Sequence, residues 1–120
     1  MTHTDLRRRT MEYAIGVAQF AKHLEGDVAM RHAGSQLVRA SASVAANYRA
    51  AGLARSRKEF IAKLGVVIEE ADECVYWLEY ARTLSASKRP EFTALTDESS
   101  QLLRIFRSSR NTTRRNNERG

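Results

Sequence analysis

The residues best suited to chemistry in this chain of 120 residues are basic side chains near its middle. Residues 28–58 contain no Asp or Glu but carry six cations, as many as the formal net charge of +6. Guanidinium and ammonium groups form charge-assisted hydrogen bonds with phosphate, and such contacts release the counterions of a nucleic acid. The segment therefore predicts binding to RNA or DNA through phosphates. Its six cations are Arg31, Arg39, Arg49, Arg55, Arg57 and Lys58.

The end of the chain adds further cations. Residues 107–120 hold five arginines, one glutamate and no apolar residue, so they cannot contribute to a packed core. The sequence therefore predicts a folded domain over residues 1–107 and a disordered basic tail over residues 108–120. The tail arginines predicted to contact phosphate are Arg110, Arg114, Arg115 and Arg119.

The predicted binding depends on the backbone and shape of the nucleic acid more than on its base sequence. The chain has no helix-turn-helix, zinc-finger or RNA-recognition signature. Tyr13 and Tyr48 could stack on bases, but their helical phase favours a place in the core.

Other chemistries have weaker support. The three histidines are isolated in the sequence, and the acidic residues in 69–73 point to different faces of a helix, so no metal or cofactor is predicted. No serine lies in a Gly-x-Ser-x-Gly motif, and no glycine-rich phosphate loop occurs. One alternative is a helical enzyme that binds an anionic substrate through Arg39, Arg49 and Lys63. No spacing requires that enzyme, so we predict a protein without catalytic activity.

Composition also predicts the cellular compartment. A single cysteine cannot form an intramolecular disulfide, and its position, Cys74, on an apolar helix face predicts a buried thiol. No apolar run approaches the roughly 20 residues that span a membrane, and no secretory signal follows the polar N-terminus. We predict a cytoplasmic protein that does not contact membranes.

Apolar residues recur at helical spacing in four segments, which run from about residue 5 to 24, 28 to 53, 56 to 84 and 90 to 106. In the third segment Ser56 and Glu59 have the spacing of a capping box. Its apolar residues follow a 4-3-4-3-4-3 spacing, at Phe60, Leu64, Val67, Ala71, Cys74, Leu78 and Ala81. Because short connections join antiparallel neighbours, the sequence predicts an all-α, up-down-up-down antiparallel four-helix bundle.

The third helix carries more apolar surface than one bundle covers, which favours self-assembly. An alternative is that these residues only widen the core of a single chain. The predicted oligomer interface consists of Ile61, Ile68, Val75, Trp77, Glu70 and Glu73. A rival hypothesis is a protein-interaction scaffold in which the arginines form salt bridges with the acidic face of helix three across subunits, with no nucleic-acid role.

Three blocks of sequence resemble a known family. They are residues 36–49 (QLVRASASVAANYR), residues 54–64 (ARSRKEFIAKL), and residues 69–73 with 76–78 (EEADE and YWL). In this order they resemble the four-helix-bundle family of the 23S ribosomal RNA intervening sequence protein, over about residues 5–107. The resemblance implies a homopentamer with no established catalytic residues. It extends to the accessory variability determinant of diversity-generating retroelements, which implies a reverse transcriptase and nucleic acid as partners.

The chain departs from that family at one point. Many members have an acidic residue shortly after the position of Asn47, whereas Arg49-Ala50-Ala51-Gly52 follows here. If that acid pairs across subunits, this chain needs another contact, such as Glu70 or Glu73. The combined prediction is a non-enzymatic homo-oligomer, a pentamer by resemblance, that presents basic surface to RNA or DNA.

Overall fold

The computed structural model describes residues 1–119 as four long helices joined by short turns, with no strand among them. The helices are α1 (His3–Phe20), α2 (Val28–Ala51), α3 (Arg57–Ser85) and α4 (Pro90–Arg119), and a 3₁₀ turn, Ala21–His23, follows α1. These elements confirm the all-α prediction. None of the helices within the described residues has a stretch apolar enough to cross a membrane.

Polar side chains fix where the central helices begin. The Asp27 carboxylate accepts a hydrogen bond from the Met30 backbone N–H at the start of α2. Ser56 does the same for the Glu59 N–H at the start of α3, as the sequence predicts. The Glu59 carboxylate lies 3.6 Å from Arg55 Nε. One half of the predicted capping box is therefore confirmed.

One apolar face of each helix packs into a shared core. Tyr13 and Tyr48 are both buried, which confirms their predicted core positions. Cys74 is buried as well, and burial raises the pKa of its thiol to about 12, so this thiol is unreactive at neutral pH. The largest side chains without solvent exposure include Phe106, Leu37, Leu64, Leu78, Val17 and Val44.

Contacts at the two ends of α1 show how α2 lies against it. The His3 ring stacks on the Tyr48 ring with centroids 4.6 Å apart, so the start of α1 lies beside the end of α2. Leu24, just after α1, lies against Gly34 near the start of α2, where an added β-carbon would be 3.4 Å from the Leu24 Cβ. The small residue allows this close approach.

Helix α4 lies against α1 and α3. The Phe92 ring meets the Phe20 ring edge-on with centroids 4.9 Å apart, which places the start of α4 beside the end of α1. At the other end, the Arg57 guanidinium donates a 2.8 Å hydrogen bond to the Asn116 carbonyl. The end of α4 therefore lies beside the start of α3.

Residues 108–119 are helical, where the sequence predicts a disordered tail. They extend a helix that already exists, so no separate nucleation is needed, and apolar residues are not required. The Thr113 hydroxyl donates a 2.8 Å hydrogen bond to the Ser109 carbonyl, and Arg57 holds Asn116. Gly120, the last residue of the predicted tail, lies outside the described residues, as does the Arg119 side chain.

The broad apolar face of α3 is partly used within the chain. Ile68 belongs to the core and is 7% exposed, which differs from its predicted place on a subunit surface. Trp77 packs edge-on against His32 and Tyr80, and its indole donates to Glu73 at 3.4 Å. Ile61 and Val75 are half-buried. The large apolar residues of α3 that remain exposed are Val66, Tyr76 and Leu84.

Candidate nucleic-acid interface at the basic end

The charged side chains are unevenly distributed along the long axis of the molecule. The hydrogen bond between Tyr13 and Ser99 and the ion pair between Arg39 and Glu70 mark its middle. To one side lie residues 1–12, 40–68 and 100–118, which we term the basic end. To the other lie residues 13–39 and 69–99, which we term the acidic end.

The two ends have opposite formal charge. The basic end has thirteen Lys and Arg residues against four Asp and Glu, whereas the acidic end has six against ten. Such an asymmetry creates a positive potential at one end and steers anionic partners toward it.

A groove lies at the basic end, between the start of α1, the α2–α3 turn and residues 104–113 of α4. We term it the end groove, and its volume is about 940 Å³. Three guanidinium groups line it, those of Arg55, Arg57 and Arg104. Its hydroxyl groups come from Ser56, Ser108, Ser109, Thr112 and Thr113, and its apolar lining from Leu6, Tyr48, Phe60 and Ile105.

The guanidinium groups of the end groove are accessible to an anion. The Arg55 side chain is 89% exposed, and its contact with Glu59 is a 3.6 Å surface pair that costs little to exchange for a phosphate. Arg57 uses Nη1 for the Asn116 carbonyl, which leaves its other nitrogens for a ligand. Arg104 is exposed and has no carboxylate within 4.0 Å among residues 1–119.

One wall of the end groove is the imidazole of His3. It stacks on Tyr48 and lies over Gly52, where a β-carbon would collide with the ring. Burial, and secondarily the charge of Arg7, lowers the pKa of His3, so the imidazole is neutral at neutral pH. This contact requires glycine at residue 52 and gives the groove a packed, uncharged wall.

The structure brings several predicted phosphate-binding residues to this end. Arg55 and Arg57 lie in the end groove, and Lys58 is exposed beside it. Arg114 and Arg115 are exposed on the last turns of α4. Arg110 is half-buried, and its Nε is enclosed with no hydrogen-bond partner among the described residues. The Arg119 side chain lies outside the described residues.

Two of the predicted phosphate-binding cations of α2 do not lie in the end groove and have partners within the chain. Arg31 lies at the acidic end and donates a 2.6 Å hydrogen bond to the Gly26 carbonyl. Arg39 is engaged within the chain, at 3.1 Å from Glu70 Oε2 and 2.6 Å from Glu73 Oε1. The hydrogen bond from Arg39 lowers the pKa of Glu73. The sequence of α2 alone could not predict the pairing of Arg39 with Glu70 and Glu73, because that pairing depends on which helix packs beside α2.

Other cations at the basic end were not singled out from the sequence. They come from the start of α1 and from α4 before residue 108, and they are Arg7, Arg8, Arg9, Arg104 and Arg107. Arg9 among them pairs with Glu98 at 2.6 Å. The sequence indicates these cations only indirectly. Because short turns join antiparallel helices, the start of α1 and the late part of α4 must both lie near the end of α2.

Two apolar surfaces remain on the sides of the molecule. A groove of about 740 Å³ between α1 and α2, which we term the lateral groove, contains Met11 and Ile15, each about half exposed. Alanines 14, 18, 42 and 46 form much of its lining, and Arg49 lies at its edge. On α3, the residues Tyr76, Tyr80 and Leu84 recur every four positions and form what we term the aromatic stripe.

The buried polar groups in the middle of the molecule form a structural hydrogen-bond chain. The Ser99 hydroxyl donates a 2.7 Å hydrogen bond to the Leu95 carbonyl, so the Tyr13 hydroxyl donates to Ser99 Oγ. Burial raises the pKa of Tyr13, and the nearby Cys74 adds to this. No cluster of three or more metal-ligating side chains occurs among residues 1–119.

Comparisons with known proteins agree on one family. The family model of the 23S rRNA-intervening sequence protein matches residues 3–108. The fold is similar to the crystal structure of a protein with unknown function from the S23 ribosomal protein family of Bacteroides thetaiotaomicron, with a TM-score of 0.81. The two chains are 26% identical, and the match covers 92% of this chain and 99% of the other. A search of curated proteins finds no match.

Proposed function

This chain belongs to the 23S rRNA-intervening sequence protein family, and we propose that it is a non-catalytic oligomeric protein whose basic end binds RNA or DNA. The observation that carries the proposal is the excess of cations at one end, thirteen against four carboxylates, around an open groove with three arginines. Cations in these numbers bind the phosphate backbone with little dependence on base sequence.

The proposal includes self-assembly. We propose that the four helices alternate in direction as an up-down-up-down bundle, and that the lateral groove of one copy receives the aromatic stripe of the next. The two surfaces differ, so the contact is heterologous, and heterologous contacts that close on themselves form rings. Charge supports the match, because three arginines and one glutamate line the groove, Arg7, Arg8, Arg49 and Glu12, while Glu79 accompanies the stripe. The homopentamer implied by the family resemblance is a ring of this kind.

A ring would multiply the effect of the charge asymmetry. The lateral groove lies mainly toward the basic end and the aromatic stripe lies in the acidic end, so a closed ring built on this contact has its helices inclined to the ring axis. Cyclic symmetry then places every basic end at the same height. A nucleic acid that touches several subunits then gains avidity of about 10²–10⁴ over one subunit. A nucleic-acid enzyme such as a reverse transcriptase is the protein partner that this arrangement would assist.

The test is binding of the purified protein to labelled structured RNA and duplex DNA over a salt series. We expect affinity to fall about a thousandfold or more between roughly 50 and 200 mM salt, as for several phosphate contacts. A chain that lacks residues 108–120 should bind more weakly and with a shallower salt dependence, while its circular dichroism per residue and melting temperature stay close to those of the full chain. Absence of binding at low salt would overturn the proposal.

The scaffold hypothesis loses one of its supports. It requires arginines to pair with the acidic face of α3 across subunits, but Arg39 already pairs with Glu70 and Glu73 of its own chain. The cations of the end groove have only Glu59 as a carboxylate partner within 4.0 Å in the described part of the chain. Their abundance is therefore better explained by an anionic ligand than by contacts between subunits.

A further inference from the structure

We propose that the end groove holds one unpaired nucleotide of a single-stranded RNA or DNA, an inference that rests on the proposed function and names its ligand. The groove combines two kinds of surface at one place, since three arginines and several apolar side chains line it. A nucleotide has the same division, because its phosphate is anionic and its base is flat and largely apolar on both faces.

The size of the groove fits this ligand. Its volume of about 940 Å³ lies within the range of about 300–1,000 Å³ typical of small-molecule sites. Phe60 and Ile105 are half-buried and lie in its lining, so each keeps some apolar surface for a base to cover. Base contacts of this kind tolerate any base, since every base has a π-face.

The polar groups lie where a sugar-phosphate unit needs them. Arg55 and Arg57 come from the α2–α3 turn and the first turn of α3, and Arg104 comes from α4, so guanidinium groups are present on two walls. Ser108 and Thr112 follow Arg104 at intervals of four residues on α4, and both line the groove. Phosphate can therefore be bound from two directions while sugar hydroxyls or oxygens meet serine and threonine.

A duplex can use the rim but not the interior of this groove. Its bases are stacked and paired inside the helix, so only its phosphates can meet the arginines. An unpaired base can turn into the groove and cover Phe60 and Ile105. The groove therefore predicts a preference for single strands over duplexes of equal length and charge.

The groove depends on a part of the chain outside the family match. Thr112 and Thr113 belong to the extension of α4 beyond residue 108, the last residue that the family model matches. Arg57 fixes this extension through the Asn116 carbonyl.

The experiment measures fluorescence anisotropy of labelled oligonucleotides of about twelve nucleotides, namely oligo-U, oligo-dT and the dA·dT duplex. The variant Ser108→Trp fills the groove from an exposed position, and Thr93→Trp is the matched control at an exposed position of α4 in the acidic end. Arg104→Gln removes a groove cation, and Arg107→Gln is its charge-matched control, exposed on the same helix but outside the groove lining.

We expect the full chain to bind a single strand about tenfold more tightly than the duplex. Ser108→Trp should remove that preference with little effect on the duplex, and Thr93→Trp should leave both affinities unchanged. Arg104→Gln should weaken single-strand binding more than Arg107→Gln does. If oligo-U binds and oligo-dT does not, the sugar 2′-hydroxyl is recognised. If both single strands bind equally, the base and the phosphate suffice for recognition. Either result supports the inference.

The inference is overturned if the full chain binds duplex and single strands equally, or if Ser108→Trp weakens both alike. In either case nucleic-acid binding itself would stand. If none of the three probes binds even at low salt, the proposed function fails, and the inference fails with it.

Discussion

The basic and acidic ends of this molecule are built from the same four helices but carry different kinds of charge. At the acidic end and in the middle, two cations of α2 have partners within the chain: Arg39 pairs with Glu70 and Glu73, and Arg31 donates a hydrogen bond to the Gly26 carbonyl. At the basic end, Arg55 has only a loose surface pair, and Arg104 has none among residues 1–119. Arg9 of the basic end is an exception, since it pairs with Glu98 at 2.6 Å. Under the proposed function, Arg39 and Arg31 stabilise the fold, whereas Arg55 and Arg104 are available to an anionic ligand.

Helix stability does not explain the cations at the start of α3. Arg57 and Lys58 occupy its first turn, where the positive end of the helix dipole disfavours a cation by about 0.3–1 kcal/mol. Glu59 is the only acidic residue in that turn. Arg57 lines the end groove, and the proposed nucleic-acid binding would offset this cost.

The largest effect should come from loss of the oligomer, which would leave each basic end to act alone. Ile15→Asp places a charge in the lateral groove and should dissociate the ring, lowering nucleic-acid affinity about a hundredfold through lost avidity. Analytical ultracentrifugation and a binding titration check both parts. Gln19→Asp, exposed on α1 outside the groove lining, is the control. A dissociated variant with full affinity would show that one basic end suffices.

The second effect distinguishes the two ends directly. Replacement of the groove cations Arg55, Arg57 and Arg104 by glutamine should make the slope of log affinity against log salt shallower by about three per subunit engaged. The control replaces three exposed cations of the acidic end, Lys22, Lys88 and Arg89, and changes the net charge equally. Equal losses from the two sets would mean that net charge alone, and not its position, determines binding.

A smaller effect is expected at the middle of the molecule. Glu73→Gln should lower the free energy of unfolding by about 1 kcal/mol or less, because the pair with Arg39 is largely exposed. The pKa of Glu73 is lowered in the fold, so its contribution is present above the usual glutamate range and is lost as the pH falls through the folded pKa. Urea unfolding at several pH values measures it. Loss of the oligomer in this variant would revive the scaffold hypothesis.

The smallest effect should separate stability from binding at one residue. Lys58→Gln removes a cation from the first turn of α3 and should raise the free energy of unfolding by a few tenths of a kcal/mol. The same change should slightly weaken nucleic-acid binding. Thermal unfolding measures the expected gain in stability, and fluorescence anisotropy on the same preparation measures the expected loss of affinity. A variant that is less stable than the original chain would contradict the dipole argument.

The sequence predicts the core better than the site. The 4-3-4 spacing of α3 identifies Leu64, Val67, Ala71, Cys74, Leu78 and Ala81, all of which are buried. Periodicity is a property of one helix, so it can be found without knowing the neighbours. It fails for the extension of α4, which has no apolar residue to show a period and is helical because it continues an existing helix.

Charge positions could be predicted only in part, because they depend on several helices together. Arg55 and Arg57 belong to the six cations that the sequence identifies, and they line the end groove. Arg104 and His3 reach the same groove from α4 and α1, and no local pattern connects them with the α2–α3 turn. Arg39 appears free when α2 is considered alone, whereas its partners on α3 are 31 and 34 residues away in sequence.

The most direct test of the account is to map where nucleic acid touches the protein, by photo-cross-linking a bromouracil-containing single strand and identifying the modified peptides. We expect cross-links in the basic end, on peptides that cover residues 52–60 and 104–117. Cross-links concentrated on the acidic end, in residues 20–35 or 79–97, would contradict the claim that the basic end binds nucleic acid.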